Sequence, residues 1–276
     1  MNIKRIAIIG TGSMGSAILA GLLKSGFNPE QISVSTKTTE SAERLADEMG
    51  VLSFAMENGD DANQMAVANA DVILIAVKPA YVVEVLKDIA DSLNDNALVL
   101  SVAAGITTAT MEQALPDDVA VVRSMPNTPA IVGHAVTGIA KGSRAGAEQL
   151  AIARELFETV GRVIELDECK IDALSTISGS GPAYVFYLVE QLVVAAKHQG
   201  FNDADSALLV NETFLGASEL LIASGKSPEE LRKQVTSPNG TTERAIARIG
   251  EADLKKVFIE ATDAALARAR EIASGK

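Results

Sequence analysis

A glycine-rich turn near the N-terminus constrains this chain more than any other feature. Gly10-Thr11-Gly12-Ser13-Met14-Gly15 follows the apolar run Ile6-Ala7-Ile8-Ile9 and opens an amphipathic stretch from Ser13 to Ser25. Each glycine of a G-x-G-x-x-G placed between a strand and a helix has a task. Gly10 permits the tight turn, Gly12 lets backbone approach a pyrophosphate, and Gly15 lets helix and strand pack closely. The helix N-terminus offers free N–H groups to the phosphates. Strands are expected over Lys4–Ile9, Gln31–Ser35, Val72–Val77, Ala97–Val102 and Val119–Arg123. Between them run helical patterns such as Ala42, Leu45, Ala46 and Met49. Continuous Val/Ile/Leu/Ala runs suit strands covered on both faces. Their alternation with helices implies βαβ units and right-handed crossovers. The expectation is a Rossmann-type, doubly wound, mainly parallel α/β domain over residues 1–165.

The pattern then changes. After Gly161–Leu166 no strand pattern recurs, and long apolar-periodic stretches follow at Tyr184–Gln199, Asp203–Ser224 and Ala252–Ile272. In the last, Leu254, Phe258, Ala261 and Ala265 share a face. Residues 166–276 are therefore expected to form an all-α domain.

Composition narrows the function. The 276 residues carry 24 Lys and Arg against 36 Asp and Glu, a formal charge of −12. So acidic a chain is a poor partner for nucleic acid, which needs a basic face. The single cysteine, Cys169, allows no intrachain disulfide and no Cys-rich zinc site. No His/Asp/Glu cluster shows metal-ligand spacing. No segment reaches the roughly 18 uninterrupted apolar residues of a membrane helix. The run after Lys4 and Arg5 stops at Gly10, too short for a secretory signal. A cytoplasmic protein without metal or membrane association is expected.

The end of the second strand selects the cofactor. NAD-preferring sites usually place Asp or Glu there, about 20 residues beyond the glycines. Here the segment is Ser35-Thr36-Lys37-Thr38-Thr39, whose hydroxyls and ammonium suit a 2′-phosphate. NADPH is expected to bind better than NADH; the competing reading is a helix cap. Ala76-Val77-Lys78-Pro79 places Lys78 at a strand's carboxyl end, where open α/β sheets bind ligands. Ser178-Gly179-Ser180-Gly181-Pro182 precedes a long helix and reads as an anion trap for a carboxylate, or as a helix-initiating turn. Thr236-Ser237-Pro238-Asn239-Gly240-Thr241-Thr242-Glu243 also precedes a helix, with Thr241 or Thr242 as the N-cap and more hydroxyls than a cap needs. The two histidines, His134 and His198, have no triad context. No lysine lies between Ser178 and Ala196 to serve an alcohol/carbonyl pair. A C=N substrate fits this inventory, because a protonated iminium is already electrophilic and asks mainly for positioning.

Together these motifs resemble the pyrroline-5-carboxylate reductase family. The resemblance runs through Gly10–Gly15, Ala76–Pro79, Ser101-Val102-Ala103-Ala104-Gly105-Ile106 and Arg123-Ser124-Met125-Pro126-Asn127-Thr128-Pro129, then Ser178–Tyr184 and Val235–Thr242. It implies reduction of the cyclic imine Δ1-pyrroline-5-carboxylate to L-proline by NAD(P)H, the last step of proline synthesis. It implies that Thr242 hydrogen-bonds the ring nitrogen, and that Ser237 with the N–H groups of Gly240 and Thr241 holds the substrate carboxylate, alongside Ser178, Gly179, Ser180 and Gly181. The cofactor would meet Gly10, Thr11, Gly12, Ser13, Met14, Gly15, Ser35, Thr36, Lys37, Ala76, Val77, Lys78, Pro79, Ala104 and Asn127, with Asn63 at its adenosine end. The helical domain would mediate dimerisation, and the dimers could assemble into rings. The chain departs from the family at Asn239, where a glycine is usual; Asn tolerates left-handed backbone. The alternatives are a reductase of another imine or of a β-hydroxy acid, and a non-catalytic NADP-sensing protein.

Overall fold

The computed structural model describes residues 3–59 and 61–273, with the backbone alone for Ile272 and Ala273. Eight strands form one sheet: β1 (Ile6–Ile9), β2 (Ile32–Thr36), β3 (Leu52–Ala55), β4 (Val72–Ile75), β5 (Leu98–Ser101), β6 (Ala120–Met125), β7 (Ala135–Lys141) and β8 (Gly161–Glu165). Their spatial order is β3-β2-β1-β4-β5-β6-β7-β8. The first six follow the doubly wound order, with its reversal point between β1 and β4. All pairs are parallel except β6 with β7.

Helices α1 (Ser13–Lys24), α2 (Thr39–Met49), α3 (Ala62–Val67), α4 (Val82–Ile89), α5 (Thr108–Glu112) and α6 (Ala147–Glu158) accompany the sheet. Two apolar layers result, one on each side of strands whose residues are covered on both faces. Ile6, Ile8, Ile18, Leu74 and Phe157 belong to the first layer, and Ile9, Ile73, Ile75 and Leu86 to the second.

Two strands escape the sequence pattern. β3 is a short edge strand with a largely uncovered start. β7 contains Thr137 and Gly138 and turns antiparallel. A Cβ on Gly138 would lie 2.8 Å from Leu174 Cδ1, so that glycine serves packing against the segment after β8.

That segment comprises α7 (Ile171–Leu174) and a π-helical turn, Ser175–Gly179. Buried Arg123 on β6 pins it, with Nη2 2.6 Å from Asp172 Oδ1 and Nη1 3.5 Å from Glu168 Oε1. Glu168 also accepts the Thr108 N–H and hydroxyl, each at 2.7 Å. The remaining helices are α8 (Gly181–His198), α9 (Asp203–Ser224), α10 (Pro228–Gln234), α11 (Thr241–Gly250) and α12 (Leu254–Ala273). By contact the chain divides into one unit that runs to Ser180 and takes in the segment from Leu266, and a second unit, Gly181–Ala265.

In the second unit α8 packs on α9, and Tyr184 meets Phe258 edge-on at 6.3 Å. α8, α10 and α11 have no buried residue, and α9 buries only Ser206 and Val210. Phe186, Tyr187, Val194, Leu208, Leu215 and Ile222 are exposed. By length and composition α9 could cross a membrane, with mean hydropathy 1.3.

Candidate active site

The carboxyl ends of β1, β2 and β4 bring the glycine turn, the Ser35–Lys37 segment and Ala76–Pro79 to one edge of the sheet. Gly10 N–H donates to Ser35 O at 3.2 Å, and Ala76 N–H to Ile9 O at 2.9 Å. Gly10 has φ +92°, open to few residues but glycine. A Cβ on Gly15 would stand 2.2 Å from Gly10 O, so helix and turn touch there. At Gly12 an added Cβ meets nothing within 4 Å. Gly12 is the N-cap of α1, no side chain caps it, and the first turn carries no acidic residue. Ser13 and Gly12 are exposed, so the orphan N–H groups of α1 face open space, as a pyrophosphate site requires.

Beside them lies a cleft of about 900 Å³ lined by Gly10, Ser35, Thr36, Lys37, Glu57, Asn63, Val77 and Tyr81, among others. A dinucleotide fits these residues: the glycine turn, the uncapped helix and a cleft that takes in Gly10 and the end of β2 lie together. Asn63 is buried; its Oδ1 accepts the Ser35 hydroxyl at 2.8 Å and its Nδ2 donates to Asp88 Oδ2 at 3.0 Å. Ser35 and Thr36 are also buried, and the Thr36 hydroxyl donates to Thr38 O at 2.9 Å. Of the group expected to meet a 2′-phosphate, only Lys37 is exposed. Thr38 caps α2, its hydroxyl accepting the Ser41 N–H. Lys78 and Ala104 lie exposed at the ends of β4 and β5.

Asn127 is buried. Its Nδ2 donates to Ser178 O at 2.9 Å and its Oδ1 accepts Val136 N–H at 2.9 Å. Through these two bonds the amide ties β7 to the π-helical turn. That turn and the start of α8 hold Ser178–Gly181 in helical backbone. Ser180 N–H donates to Ser175 O at 2.8 Å, the Ser178 hydroxyl to Leu174 O at 3.2 Å, and Pro182 is the second residue of α8. π-turns of this kind concentrate at functional sites.

In the helical unit, Gly240 is the N-cap of α11, with Thr241 and Thr242 as its first two residues; neither threonine is the cap. Asn239 has φ +60°, the left-handed conformation its side chain tolerates, and its N–H is held by Glu243 Oε2 at 2.8 Å. Gly240 N–H donates to Ser237 O at 3.0 Å, so it is not an open donor for a carboxylate. A Cβ on Gly240 would stand 2.6 Å from Ser237 Oγ. The N–H groups of Thr241 and Thr242 have no carbonyl partner within the helix, and the exposed Ser237 hydroxyl stands beside that terminus.

Comparison with known proteins agrees over both units. Residues 168–272 match a family described as pyrroline-5-carboxylate reductase dimerisation, and residues 5–105 match one described as NADP oxidoreductase, coenzyme F420-dependent. The pyrroline-5-carboxylate reductase of Corynebacterium melassecola is 38% identical over 97% of this chain and 98% of its own.

The chain belongs to the pyrroline-5-carboxylate reductase family.

The Escherichia coli reductase is 35% identical over 94% of each chain. The reductase structure from Coxiella burnetii superposes with TM-score 0.91 at 35% identity, covering 98% of both chains. A Plasmodium falciparum pyrroline carboxylate reductase solved with NADP bound shares the fold, with TM-score 0.84 at 24% identity over 99% of this chain and 98% of that one. The reductase dimerisation family spans the helices whose apolar faces stand open. Its match begins at Glu168, close to the change of sequence pattern, whereas contacts divide the chain after Ser180. Glu57 and Tyr81 in the cleft escape sequence reasoning, because the spacing rule inspects only the end of β2 and both come from later segments.

Proposed function

We propose that this chain reduces Δ1-pyrroline-5-carboxylate to L-proline with NADPH, as a homodimer able to assemble into rings, in the cytoplasm. The observation that carries the reading is the presence in one reductase-family chain of an uncapped dinucleotide turn and an uncapped α11 N-terminus bearing Thr241 and Thr242. The first-turn N–H groups of α1, from Ser13 and Met14 on, hold the pyrophosphate. Thr11 and the Ala76–Pro79 segment shape the rim. Lys37 meets the 2′-phosphate, while Ser35, Thr36 and Asn63 form the wall on which the adenosine ribose rests. Ala104 closes the cofactor edge at the end of β5.

The bound cofactor supplies a hydride to the imine carbon. The rest of the chemistry falls to positioning. The Ser237 hydroxyl and the N–H groups of Thr241 and Thr242 hold the substrate carboxylate, aided by the positive end of α11. The Thr242 hydroxyl hydrogen-bonds the ring nitrogen and keeps the protonated iminium oriented. Asn127 fixes the π-helical turn, so that Ser178–Gly181 keeps one shape.

Steady-state kinetics of Thr242→Ala test this assignment. Loss of one aligned hydrogen bond to the reacting group is expected to lower kcat about a hundredfold while leaving the Kd for NADPH unchanged. Wild-type turnover in that variant would remove Thr242 from the mechanism.

A further inference from the structure

The cofactor cleft carries a carboxylate beside the segment that ends β2. Glu57 belongs to a single turn, Met56–Asn58, directly after edge strand β3. Its Oε2 accepts the N–H of Thr39, the first residue of α2, at 2.9 Å. The Thr39 hydroxyl donates to Asn58 Oδ1, also at 2.9 Å. The turn after β3 is thus clipped at two points onto the start of α2. Glu57 satisfies an orphan donor at the positive end of that helix.

Met56 and Glu57 line the same cleft as Ser35, Thr36 and Lys37. In a doubly wound sheet the adenosine ribose lies at the end of the second strand. The Ser35 and Thr36 hydroxyls there are buried and donate inward. The cleft's other charged residues, Glu84, Lys87 and Asp88, come from α4, and Asp88 accepts from Asn63. Lys37 and Glu57 are therefore the two charged side chains that flank the end of β2, and they have opposite signs.

We propose that Glu57 is a specificity-determining residue that holds the place of the cofactor's 2′-phosphate and weakens discrimination for NADPH over NADH. The proposal rests on the dinucleotide reading of the cleft. A 2′-phosphate competes with Glu57 for the Thr39 N–H and is repelled by its charge, whereas Lys37 attracts it. The 2′-hydroxyl of NADH donates a hydrogen bond to the same carboxylate, as to the acidic residue of NAD sites. The acid reaches that place from the end of β3 instead of the end of β2.

Isothermal titration of the intact protein with NADPH and with NADH tests this without turnover. Glu57→Gln removes the charge and keeps an oxygen for the Thr39 N–H; the side chain is exposed, so the core is untouched. For an exposed charge facing a dianion, the Kd for NADPH is expected to fall about fivefold to tenfold, with that for NADH constant or higher. No change, or an equal change for both nucleotides, overturns the role of Glu57. If the unaltered protein binds neither nucleotide, the dinucleotide reading fails, and with it the proposal, whatever the variant does.

Discussion

In the sheet unit Ile6, Ile8, Ile18, Leu74 and Ile75 are fully covered by their own chain, whereas in the helical unit Phe186, Tyr187, Leu208 and Leu215 are more than half exposed and Ile222 is 81% exposed. The difference follows from architecture. A parallel sheet wrapped on both faces closes its core within one subunit. Helices that present apolar residues on more than one side need a second layer. Covering one large apolar side chain is worth about 1.5–3 kcal/mol, so the open faces of α8 and α9 are a strong drive to associate. The dimerisation family matched over residues 168–272 names the partner, a second copy. The same open surface accounts for the membrane-like composition of α9.

The largest expected effect comes from breaking the helical side of that contrast. Leu215→Glu with Ile222→Glu places two carboxylates on the open apolar face of α9, and burying them against a second copy would cost several kcal/mol. Sedimentation velocity should show a monomer, with the sheet unit still binding NADPH. A variant that stays dimeric would free this face of α9 from the interface.

A smaller effect is expected from the sheet side. Gly15→Ala forces a methyl to within 2.2 Å of Gly10 O, and such overpacking costs about 1–3 kcal/mol. Thermal unfolding should register it as a lower Tm with cofactor binding lost and the dimer retained. Gly12→Ala meets no neighbour, so its Tm should hold while NADPH affinity falls. Equal Tm values for the two variants would break the assignment of separate tasks to the two glycines. The smallest effect is that of Lys37→Ala, which touches neither core nor interface. NADPH affinity should weaken about twofold to fivefold, as for one exposed charge pair, with NADH affinity unchanged.

How legible each part was in the sequence depends on how local its cause is. The glycine fingerprint, the buried strands and the helical second half show themselves because backbone freedom, burial on both faces and the helical period act over a few residues. β7 does not, because Thr137 and Gly138 are explained only by Leu174 packing on them. The site divides in the same way. Gly12 and the α11 threonines are readable as motifs. The bonds between Asn63 and Ser35 and between Asn127 and Ser178 span 28 and 51 positions, so what each asparagine holds in place is visible only in the fold. The N-cap of α11 falls on Gly240, one residue before the threonines expected to cap it, because Asn239 turns left-handed and Glu243 reaches back to its N–H.

The central claim is tested most directly by following the absorbance of reduced nicotinamide when the purified protein meets NADPH and Δ1-pyrroline-5-carboxylate, with the product identified. Stoichiometric oxidation of NADPH with formation of L-proline is the predicted result. Tight NADPH binding with no oxidation in the presence of the imine would contradict it.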